Sequence, residues 1–568
     1  MIALAANQTM ALLQERLSTR LAMSRVMEPD LLWTSVAAAD VCEATTAMKE
    51  LGARYLVTVG IDERPLGGGY GIVHLFSLDP QHLFVAVDCP VPADAPRLPS
   101  ITPLIPGAAW AEREFRDMIG VEPEGHPDPR RLVLPDDWPE GVHPLRRDVA
   151  YNYRPPSVEG VAPELVAPPK GTSVIPVGPF FPVLEEPARF RLFVEGETVV
   201  DCDYRGFYNH RGIEKLGDSV LTWDRLPFLA ERICGICGFI HSTCYCQAVE
   251  NAAGIVVPRR AAYIRTLMLE LERIHSHLLW LGIAGHIIGF DTVLMQTWRI
   301  REPVMWLTEA ISGNRKTYGM NMVGGVRRDI TPEQLPRIRE VIAEVAREAH
   351  AVREAIVDDD TLHARTKGVG PLSTWWAKEM CVVGPPARAS NVAIDARLDH
   401  PYAAYDDLPP RRLTQEGCDT WARVLVRLDE LEDSIRIVQE ALDRMPAGPV
   451  RAEIGEVSAG RVGVSAVEAP RGEAIHFVMT GGANRPYRWR VRAPTFPNLQ
   501  AVPAMVKGQS IADVPISIGS LDPCFSCTER METVDVRDGR VRVLTRAQLA
   551  ELAQQARARR GAKGGGDR

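Results

Sequence analysis

The sequence predicts an α+β protein, with a small mixed α/β N-terminal domain, a proline-rich linker and a large, mainly α-helical domain. Alternating apolar residues near the N-terminus predict strands, and long segments further on repeat apolar residues at helical spacing. Between them lies a segment dense in proline, which cannot hold a helix. These observations place the domains at residues 1–150 and 183–530, with the linker at 151–182 and a C-terminal extension at 531–568.

In the N-terminal domain, the alternating stretches that begin at Tyr55 and Leu83 predict strands. A short amphipathic helix is predicted over residues 110–121. It runs into a loop rich in proline, glycine and aspartate at 125–131.

The large domain opens with a strand-like segment at 190–200 that offers a turn at 195–197. Three helical patterns then dominate, over residues 264–278, 338–356 and 421–442, and Pro258 suits the start of the first. Segments of this length argue for a mainly helical domain. No internal repeat is visible.

Composition excludes several classes of protein. The chain has 568 residues, 46 % hydrophobic and 24 % charged, as in ordinary globular proteins. The net charge of −8 gives no reason to expect nucleic-acid binding. No apolar run is long enough to span a membrane, and the N-terminus lacks the pattern of a signal peptide. The odd count of 11 cysteines, without a secretion signal, indicates a reducing compartment and thiols kept for metal binding.

Two Cys-x-x-Cys pairs lie far apart in the chain, Cys234 with Cys237 and Cys524 with Cys527. Each pair can present two thiolates to one metal, and both pairs form a four-thiolate pocket only after the chain has folded. Zinc ribbons hold their pairs roughly 15–20 residues apart, and a thioredoxin-like site needs one pair in a βαβ setting. Zinc, nickel and iron all accept thiolates, so the spacing leaves the metal open.

The residues around these pairs resemble the two metal-binding signatures of the large subunit of [NiFe] hydrogenases. The signatures are ERICGICGFIHS at 231–242 and DPCFSCTER at 522–530. The resemblance continues through HRGIEKL (210–216), AVENAAGIVVP (248–258), TYGMNMVGGVRRD (317–329), EAPRGEAIHF (468–477) and YRWRVRAPTF (487–496). The N-terminal stretch WAEREFRDMIGVEPEGHPDPRRLVLPDDW resembles the 30-kDa-type subunit of respiratory complex I. A fusion of these two pieces resembles the formate hydrogenlyase type among membrane-associated, energy-converting hydrogenases.

The resemblance implies a nickel–iron centre held by four thiolates. Cys234, Cys237, Cys524 and Cys527 would bind nickel, and Cys237 and Cys527 would bridge to an iron that carries carbon monoxide and cyanide. Dihydrogen is a weak acid and a poor ligand, so making or splitting it needs a metal and a base. Cys524, as a terminal thiolate, is the expected base.

Further site residues follow from the same resemblance. Arg471 would point a fixed cation over the metal and act electrostatically, and the preceding Pro470 would help bind the cofactor. A surface salt bridge is the alternative for this arginine. Asp522 would anchor Arg471 or cap the following helical turn. Glu185, with Glu186 as the alternative, would begin a proton path.

Glu214 in HRGIE matches a position that binds a magnesium-like ion in relatives, with a helix-terminal carboxylate as the alternative. Many relatives place an aspartate beside the active site where this chain has Ser276. Its neighbours His275 and His277 are expected to be core groups rather than ligands. The remaining cysteines, Cys244 among them, are expected to be buried thiols.

The sequence contains no further cysteine cluster fit to hold an iron–sulfur relay, although two electrons must enter or leave per dihydrogen. A small partner subunit with a [4Fe-4S] cluster near the nickel is therefore expected. The resemblance adds integral-membrane complex I-like subunits and an electron donor such as formate dehydrogenase. It places the chain in the cytoplasm, peripheral on the inner face of the cell membrane. It also implies a maturation peptidase that cuts at the Arg530–Met531 bond.

The sequence thus predicts the catalytic large subunit of a [NiFe] hydrogenase, which reversibly reduces protons to dihydrogen. One alternative is a complex I-like NADH–quinone oxidoreductase subunit. The four cysteines argue against it, because the quinone enzymes have lost them. The other alternative is a non-catalytic scaffold stapled by zinc, which metal analysis separates from a nickel–iron enzyme.

Overall fold

The computed structural model describes residues 2–27, 29–156, 158, 161, 164–178, 188–207, 210–525, 533–534 and 541–542. The described helices are α1 (Ile2–Leu17), α2 (Val41–Glu50), α3 (Ala109–Ile119), α4 (Ile213–Ser219), α5 (Leu226–Ala230), α6 (Gly238–Ala253), α7 (Arg259–Ile288), α8 (Asp291–Ser312), α9 (Leu335–Val357), α10 (Asp360–Thr366), α11 (Thr374–Glu379), α12 (Pro385–Arg388), α13 (Ala396–Asp399), α14 (Thr420–Arg444), α15 (Thr495–Leu499), α16 (Val502–Val506) and α17 (Val514–Gly519).

The described strands are β1 (Leu21–Met27), β2 (Leu31–Val36), β3 (Arg54–Asp62), β4 (Tyr70–Leu78), β5 (Leu83–Val91), β6 (Arg97–Pro99), β7 (Glu122–Glu124), β8 (Ser173–Val177), β9 (Arg189–Glu195), β10 (Thr198–Arg205), β11 (Asn321–Met322), β12 (Gly325–Val326), β13 (Val462–Ala469), β14 (Gly472–Thr480), β15 (Pro486–Arg492), β16 (Thr533–Val534) and β17 (Val541–Arg542). Mixed strands at the N-terminus and long helices further on confirm the predicted α+β class.

Strands β1 to β5 form one sheet in the order β1-β2-β5-β4-β3, called here the N-terminal sheet. Strands β2 and β5 run parallel, and the other neighbours are antiparallel. Helix α3 packs on β3, where a Cβ on Gly60 would lie 2.9 Å from the side chain of Ile119. The glycine therefore permits the close approach of helix and strand.

The stretch predicted as a linker contains strand β8, which pairs with β9 in an antiparallel, three-stranded sheet. β8 lies at the edge of that sheet, and an edge strand tolerates a proline such as Pro176, which has no N–H to donate. Strands β9 and β10 form the hairpin predicted around 195–197, and Gly196 adopts φ 61° in its turn. The proposed domain boundaries stay predictions.

The three predicted long helices are α7, α9 and α14, and each extends beyond the predicted periodic segment. Helix α7 packs against α8 and α14 and is buried on nearly all sides. A helix in that position is expected to be apolar all round, yet α7 carries the buried charges of Glu270, Glu272 and Arg273. Such charges need partners, which makes α7 a place to look for function.

Strands β13, β14 and β15 form a sheet that joins the helices to the N-terminal sheet. Arg488, Arg490 and Arg492 alternate along β15, so their side chains share one face. Arg488 Nε donates to the carbonyl oxygen of Gly60 at 2.9 Å, and Arg490 pairs with Glu114 at 2.6 Å. Buried polar contacts therefore cross the junction between the two sheets, alongside apolar packing.

Among the described helices, none combines the length and the hydropathy that a membrane-spanning segment needs.

Candidate metal centre

The first cysteine pair lies at the N-terminus of α6, with Cys237 as the residue that precedes the helix. The Sγ atom of Cys234 accepts hydrogen bonds from the amides of Ile236 and Cys237, at 3.4 and 3.3 Å. Amide donors and the positive end of a helix both favour a thiolate over a thiol. This loop is therefore built to hold negatively charged sulfur.

The second pair follows α17, and the segment that leads to it is tied to the helical core. Trp280 Nε1 on α7 donates to the carbonyl oxygen of Gly519 at 2.8 Å. The amide of Cys524 donates to Thr495 Oγ1 at 3.1 Å. The first bond ties the segment before Cys524 to α7, and the second ties Cys524 itself to α15.

The fold brings one cysteine of each pair together. The Sγ atoms of Cys234 and Cys524 lie 3.4 Å apart, and both residues are buried. Two thiolates bound at ~2.3 Å to one tetrahedral metal lie about 3.8 Å apart, so this separation fits sulfurs that share an ion. A hydrogen bond to Cys234, burial and the charge of Cys234 raise the pKa of Cys237 far above its usual value. A metal ion would relieve that penalty by taking the place of the shared proton.

Cys527, the fourth predicted thiolate ligand, lies outside the described residues. Within the described part of the chain, no group of three or more His, Cys, Asp or Glu side chains is arranged to hold a metal ion by itself. The chemistry of buried thiols suits a soft metal, and the four-cysteine ligand set that includes Cys527 stays a prediction.

Arg471 lies at this site and is anchored by Asp522. Its Nη2 donates to Asp522 Oδ1 at 2.7 Å, and its Nε donates to the Asp522 carbonyl oxygen at 2.8 Å. Both side chains are buried. Although burial alone would lower it, the pKa of Arg471 is raised by Asp522 and by Cys234, Cys524 and Cys237. The arginine is therefore a fixed, buried cation near the sulfurs, and the surface alternative is excluded.

Asp522 has a conformation that few residues adopt. Its φ is 55°, in the left-handed region, and it precedes Pro523, which restricts its backbone further. Of the two roles weighed for Asp522, the structure shows the anchor for Arg471. The pKa of Asp522 is raised to about 6, because the effect of burial exceeds the opposing effect of Arg471 and Arg427.

Glu272 on α7 is a site residue that the sequence analysis missed. Its carboxylate accepts the amides of Phe239 and Ile240 at 3.0 and 2.9 Å, in the first turn of α6. Thr317 Oγ1 donates to the same carboxylate at 3.3 Å. Burial raises the pKa of Glu272 to about 8, with Cys234 contributing. A carboxylate thus caps the helix that presents the first cysteine pair.

Ser276 contacts Arg471 through a hydrogen bond from Nη1 at 3.4 Å. His277 Nε2 lies 3.0 Å from Glu430, and burial lowers its pKa to about 4. His275 is fully buried, and burial together with nearby cations lowers its pKa far below the usual value. Both histidines are core groups, as expected.

Glu214, the predicted magnesium ligand, lies in a different environment from the cysteines. Its Oε1 accepts Arg490 Nη1 and the amide of Val491, each at 3.0 Å, and Arg488 forms an ion pair with its Oε2 at 2.7 Å. Burial raises the pKa of Glu214, but the two arginines outweigh burial and lower it. Two guanidinium groups already neutralise this carboxylate, so its role as a metal ligand stays a prediction.

Pro470 precedes Arg471 in the turn at the site. Its part in cofactor binding stays a prediction. Glu185 and Glu186, the predicted start of the proton path, lie outside the described residues. So does the Arg530–Met531 bond predicted for cleavage.

Three protein families match this chain. Residues 211–290, which contain the first pair, match the family "Nickel-dependent hydrogenase". Residues 288–461 and 454–530 match "Respiratory-chain NADH dehydrogenase, 49 Kd subunit", and residues 34–155 match the corresponding 30 Kd subunit.

Formate hydrogenlyase subunit 5 of Escherichia coli strain K12 is 43 % identical over 498 residues, which cover 87 % of this chain and 88 % of that protein. Hydrogenase-4 component G of the same strain is 44 % identical over 487 residues, covering 85 % and 84 %. The chain belongs to the [NiFe] hydrogenase large subunits of the formate hydrogenlyase type. The predicted family and the predicted hydrogenase function are confirmed, and membership implies a nickel–iron centre.

A solved structure supports the fold of this hydrogenase large subunit. The membrane-bound sulfane sulfur reductase, an archaeal respiratory membrane complex, aligns with a TM-score of 0.60 and 30 % identity. The alignment covers 64 % of this chain and all of that one. Because one fold can carry several chemistries, the site residues rather than the fold carry the functional argument.

Proposed function

We propose that this chain is the catalytic large subunit of a membrane-associated complex that reversibly reduces protons to dihydrogen. The observation that carries the proposal is the contact between Cys234 and Cys524, whose Sγ atoms lie 3.4 Å apart. One cysteine of each Cys-x-x-Cys pair meets the other in a buried site, and Arg471 is held by Asp522 two residues before Cys524. A zinc staple would need the thiolates but not the buried, aspartate-anchored cation.

Cys234, Cys237, Cys524 and Cys527 would hold the nickel–iron centre, with Cys237 and Cys527 shared between the two metals. When bound, the centre supplies the Lewis-acid and redox chemistry that dihydrogen requires. We assign carbon monoxide and cyanide to the iron, as the family resemblance implies. A magnesium ion at Glu214 is a weaker part of the proposal, since Arg488 and Arg490 already pair with that carboxylate.

The remaining chemistry belongs to the protein. Cys524, as a terminal thiolate, would take up and release the proton beside the metal. Arg471 stabilises negative charge at the site and cannot act as the base, because its pKa is far too high. Asp522 keeps one buried oxygen, Oδ2, that accepts no hydrogen bond from the described residues. That oxygen is a second place for a proton near Cys524, before a path that would leave through Glu185.

Electrons need a route as well. Because the sequence contains no further cysteine cluster fit to hold an iron–sulfur relay, we infer a small partner subunit with a [4Fe-4S] cluster near the cysteines. Integral-membrane complex I-like subunits and an electron donor such as formate dehydrogenase complete the proposed assembly. The chain would lie on the cytoplasmic side, peripheral to the inner face of the membrane.

We further propose that the chain is a precursor. A maturation peptidase would cut the Arg530–Met531 bond after metal insertion, as the family resemblance implies. Intact-mass measurement of active, natively purified protein tests this step. A mass that ends at Arg530 supports it, and the full-length mass in active enzyme overturns it.

A complex I-like quinone reductase is the second candidate, because the matches to the 30 Kd and 49 Kd subunits cover much of the chain. The complex purified anaerobically from its native membrane separates the two. The hydrogenase predicts dihydrogen evolution with reduced viologen dye and infrared bands from metal-bound carbon monoxide and cyanide. Quinone reduction without these bands would favour the second candidate.

A further inference from the structure

A two-residue turn at Pro470 and Arg471 joins β13 to β14 and carries the arginine of the site. Close backbone packing holds the turn on one side. Gly472 has φ +127°, and a Cβ there would lie 2.7 Å from Val383 Cγ2. Asn498 Nδ2 donates to the Arg471 carbonyl oxygen at 3.3 Å, and its Oδ1 accepts the amide of Val383 at 2.9 Å. The backbone of Arg471 is therefore restrained by its packing near Val383 and by the hydrogen bonds of Asn498.

The other side of the turn is held by Glu473, the second residue after Arg471. Arg54 donates to both carboxylate oxygens of Glu473, from Nη2 at 2.8 Å and from Nη1 at 3.0 Å. Arg492 Nη2 donates to Glu473 Oε1 at 2.5 Å. Glu473 is buried, and the two arginines hold its pKa near 2, against the burial that would raise it.

Arg54 is itself fixed within the N-terminal sheet. It is the first residue of β3, and its guanidinium donates to Asp79 from Nε and Nη2, both at 3.0 Å. One planar group therefore bridges two carboxylates, Asp79 after β4 and Glu473 at the start of β14. A lysine could not hold both in the same geometry, because it offers a point charge instead of a fork.

We propose that Arg54 is a positioning residue for the metal centre: it ties the N-terminal sheet to Glu473 and so fixes the turn that presents Arg471. The inference rests on the proposed function for its catalytic consequence. It gives the N-terminal sheet a role in catalysis beyond docking, although the residue touches neither the cysteines nor the reacting atoms.

The competing explanation is that Arg54 only joins the two parts of the chain. Glu114 provides a matched control for this, because it also forms a buried ion pair across the junction, with Arg490 at 2.6 Å. Arg490 lies on β15, away from the turn at Arg471. E114Q should loosen the junction without loosening the turn.

The test compares wild type, R54Q, R54K and E114Q. Each protein is prepared twice, once as the full chain in its native complex and once as the full-length chain without nickel. Hydrogen–deuterium exchange of the peptide that spans residues 469–474 is the first measurement. R54Q should exchange roughly tenfold faster there, because a charge-assisted, buried contact is lost. R54K should be intermediate, and E114Q should match wild type in this peptide.

The second measurement is dihydrogen evolution per bound nickel, together with the infrared bands of the iron ligands. R54Q should lose roughly tenfold in rate and shift the bands with nickel content unchanged, whereas E114Q should do neither. If R54Q fails to fold, R54K must show the intermediate exchange and rate. R54Q is compared with E114Q in both measurements, and R54K replaces R54Q if R54Q does not fold. The proposal is overturned if the Arg54 variant has the same hydrogen–deuterium exchange rate in peptide 469–474 and the same rate of dihydrogen evolution as E114Q. If wild type binds no nickel, the proposed function fails, and the exchange measurement on the nickel-free chain still decides the positioning role.

Discussion

Arg471 donates to both the carboxylate and the backbone carbonyl oxygen of Asp522, at 2.7 and 2.8 Å. This relationship links the hairpin of β13 and β14 to the segment that carries the second cysteine pair. It also fixes a permanent cation near Cys234 and Cys524, and these cysteines contribute to the raised pKa of Arg471. Cys234, Cys524 and Arg471 thus belong to one buried site, although they come from three distant parts of the chain.

R471K tests whether that orientation matters. Lysine keeps the positive charge but cannot make both contacts with Asp522. We expect dihydrogen evolution per nickel to fall by about 10²-fold, the typical effect of removing one fixed electrostatic group. Nickel content, measured by mass spectrometry, should stay at the wild-type level. Wild-type turnover in R471K would show that charge alone is enough.

C524S tests the metal assignment against a matched control. Serine is a poor ligand for a soft metal, so nickel should be lost from the purified protein. Cys244 is also buried, but its Sγ lies 3.4 and 3.5 Å from the carbonyl oxygens of Ser465 and Ala474. C244S should therefore keep its nickel. Equal nickel loss in both variants would point to a general effect on folding.

Glu272 is predicted to stabilise the loop of the first pair. E272A leaves the amides of Phe239 and Ile240 without an acceptor inside the protein. Each buried donor left unsatisfied costs about 1–3 kcal/mol, so the free energy of unfolding should fall by several kcal/mol. E272Q keeps one acceptor and should lose less. The measurement is chemical denaturation of the nickel-free chain.

Glu340 gives the control for Glu272, because its side chain is 67 % exposed and forms a surface pair with Arg337. E340A should change the free energy of unfolding by less than about 0.5 kcal/mol. An E272A variant as stable as E340A would remove Glu272 from the support of the site.

The junction between the sheets should depend on pH through Asp218. Burial raises its pKa to about 7, although Arg488 lowers it, while Oδ1 accepts the amide of Trp489 at 2.7 Å. The folded state therefore binds a proton more tightly than the unfolded state does. The free energy of unfolding should fall as the pH rises from about 4 to 7, by about 1.4 kcal/mol per unit of pKa difference.

D218N removes this ionisation and keeps an oxygen that can accept the amide of Trp489. The loss of melting temperature between pH 5 and pH 8 should be smaller in D218N than in wild type. An identical pH dependence in both proteins would contradict the raised pKa.

The long helices could be predicted because their signal is local. Apolar residues at helical spacing marked α7, α9 and α14, and each was found in place. Helix α8 was missed, since its sequence contains Pro303, a residue that usually ends a helix, and large apolar residues such as Trp306 are exposed on it. Strand β8 was missed because prolines hide a strand that lies at a sheet edge.

The cysteine pairs could be predicted from their motif, but the residues that support them could not. Glu272 is one of several charged residues within the helical pattern of α7, and an acid inside that long, mainly buried segment was the available signal. Arg54 carries no such signal, because its partner Glu473 is distant in sequence and the contact exists only after folding. Alternating arginines in YRWRVR could have indicated a strand with a charged, buried face.

The central claim is that sulfur atoms from both pairs bind one nickel ion. X-ray absorption at the nickel edge of the anaerobically purified protein measures this directly. The account predicts nickel in an all-sulfur thiolate environment with iron as a near neighbour, and loss of that signal in C524S. Nickel bound by nitrogen and oxygen, or a protein that holds zinc alone, would contradict it.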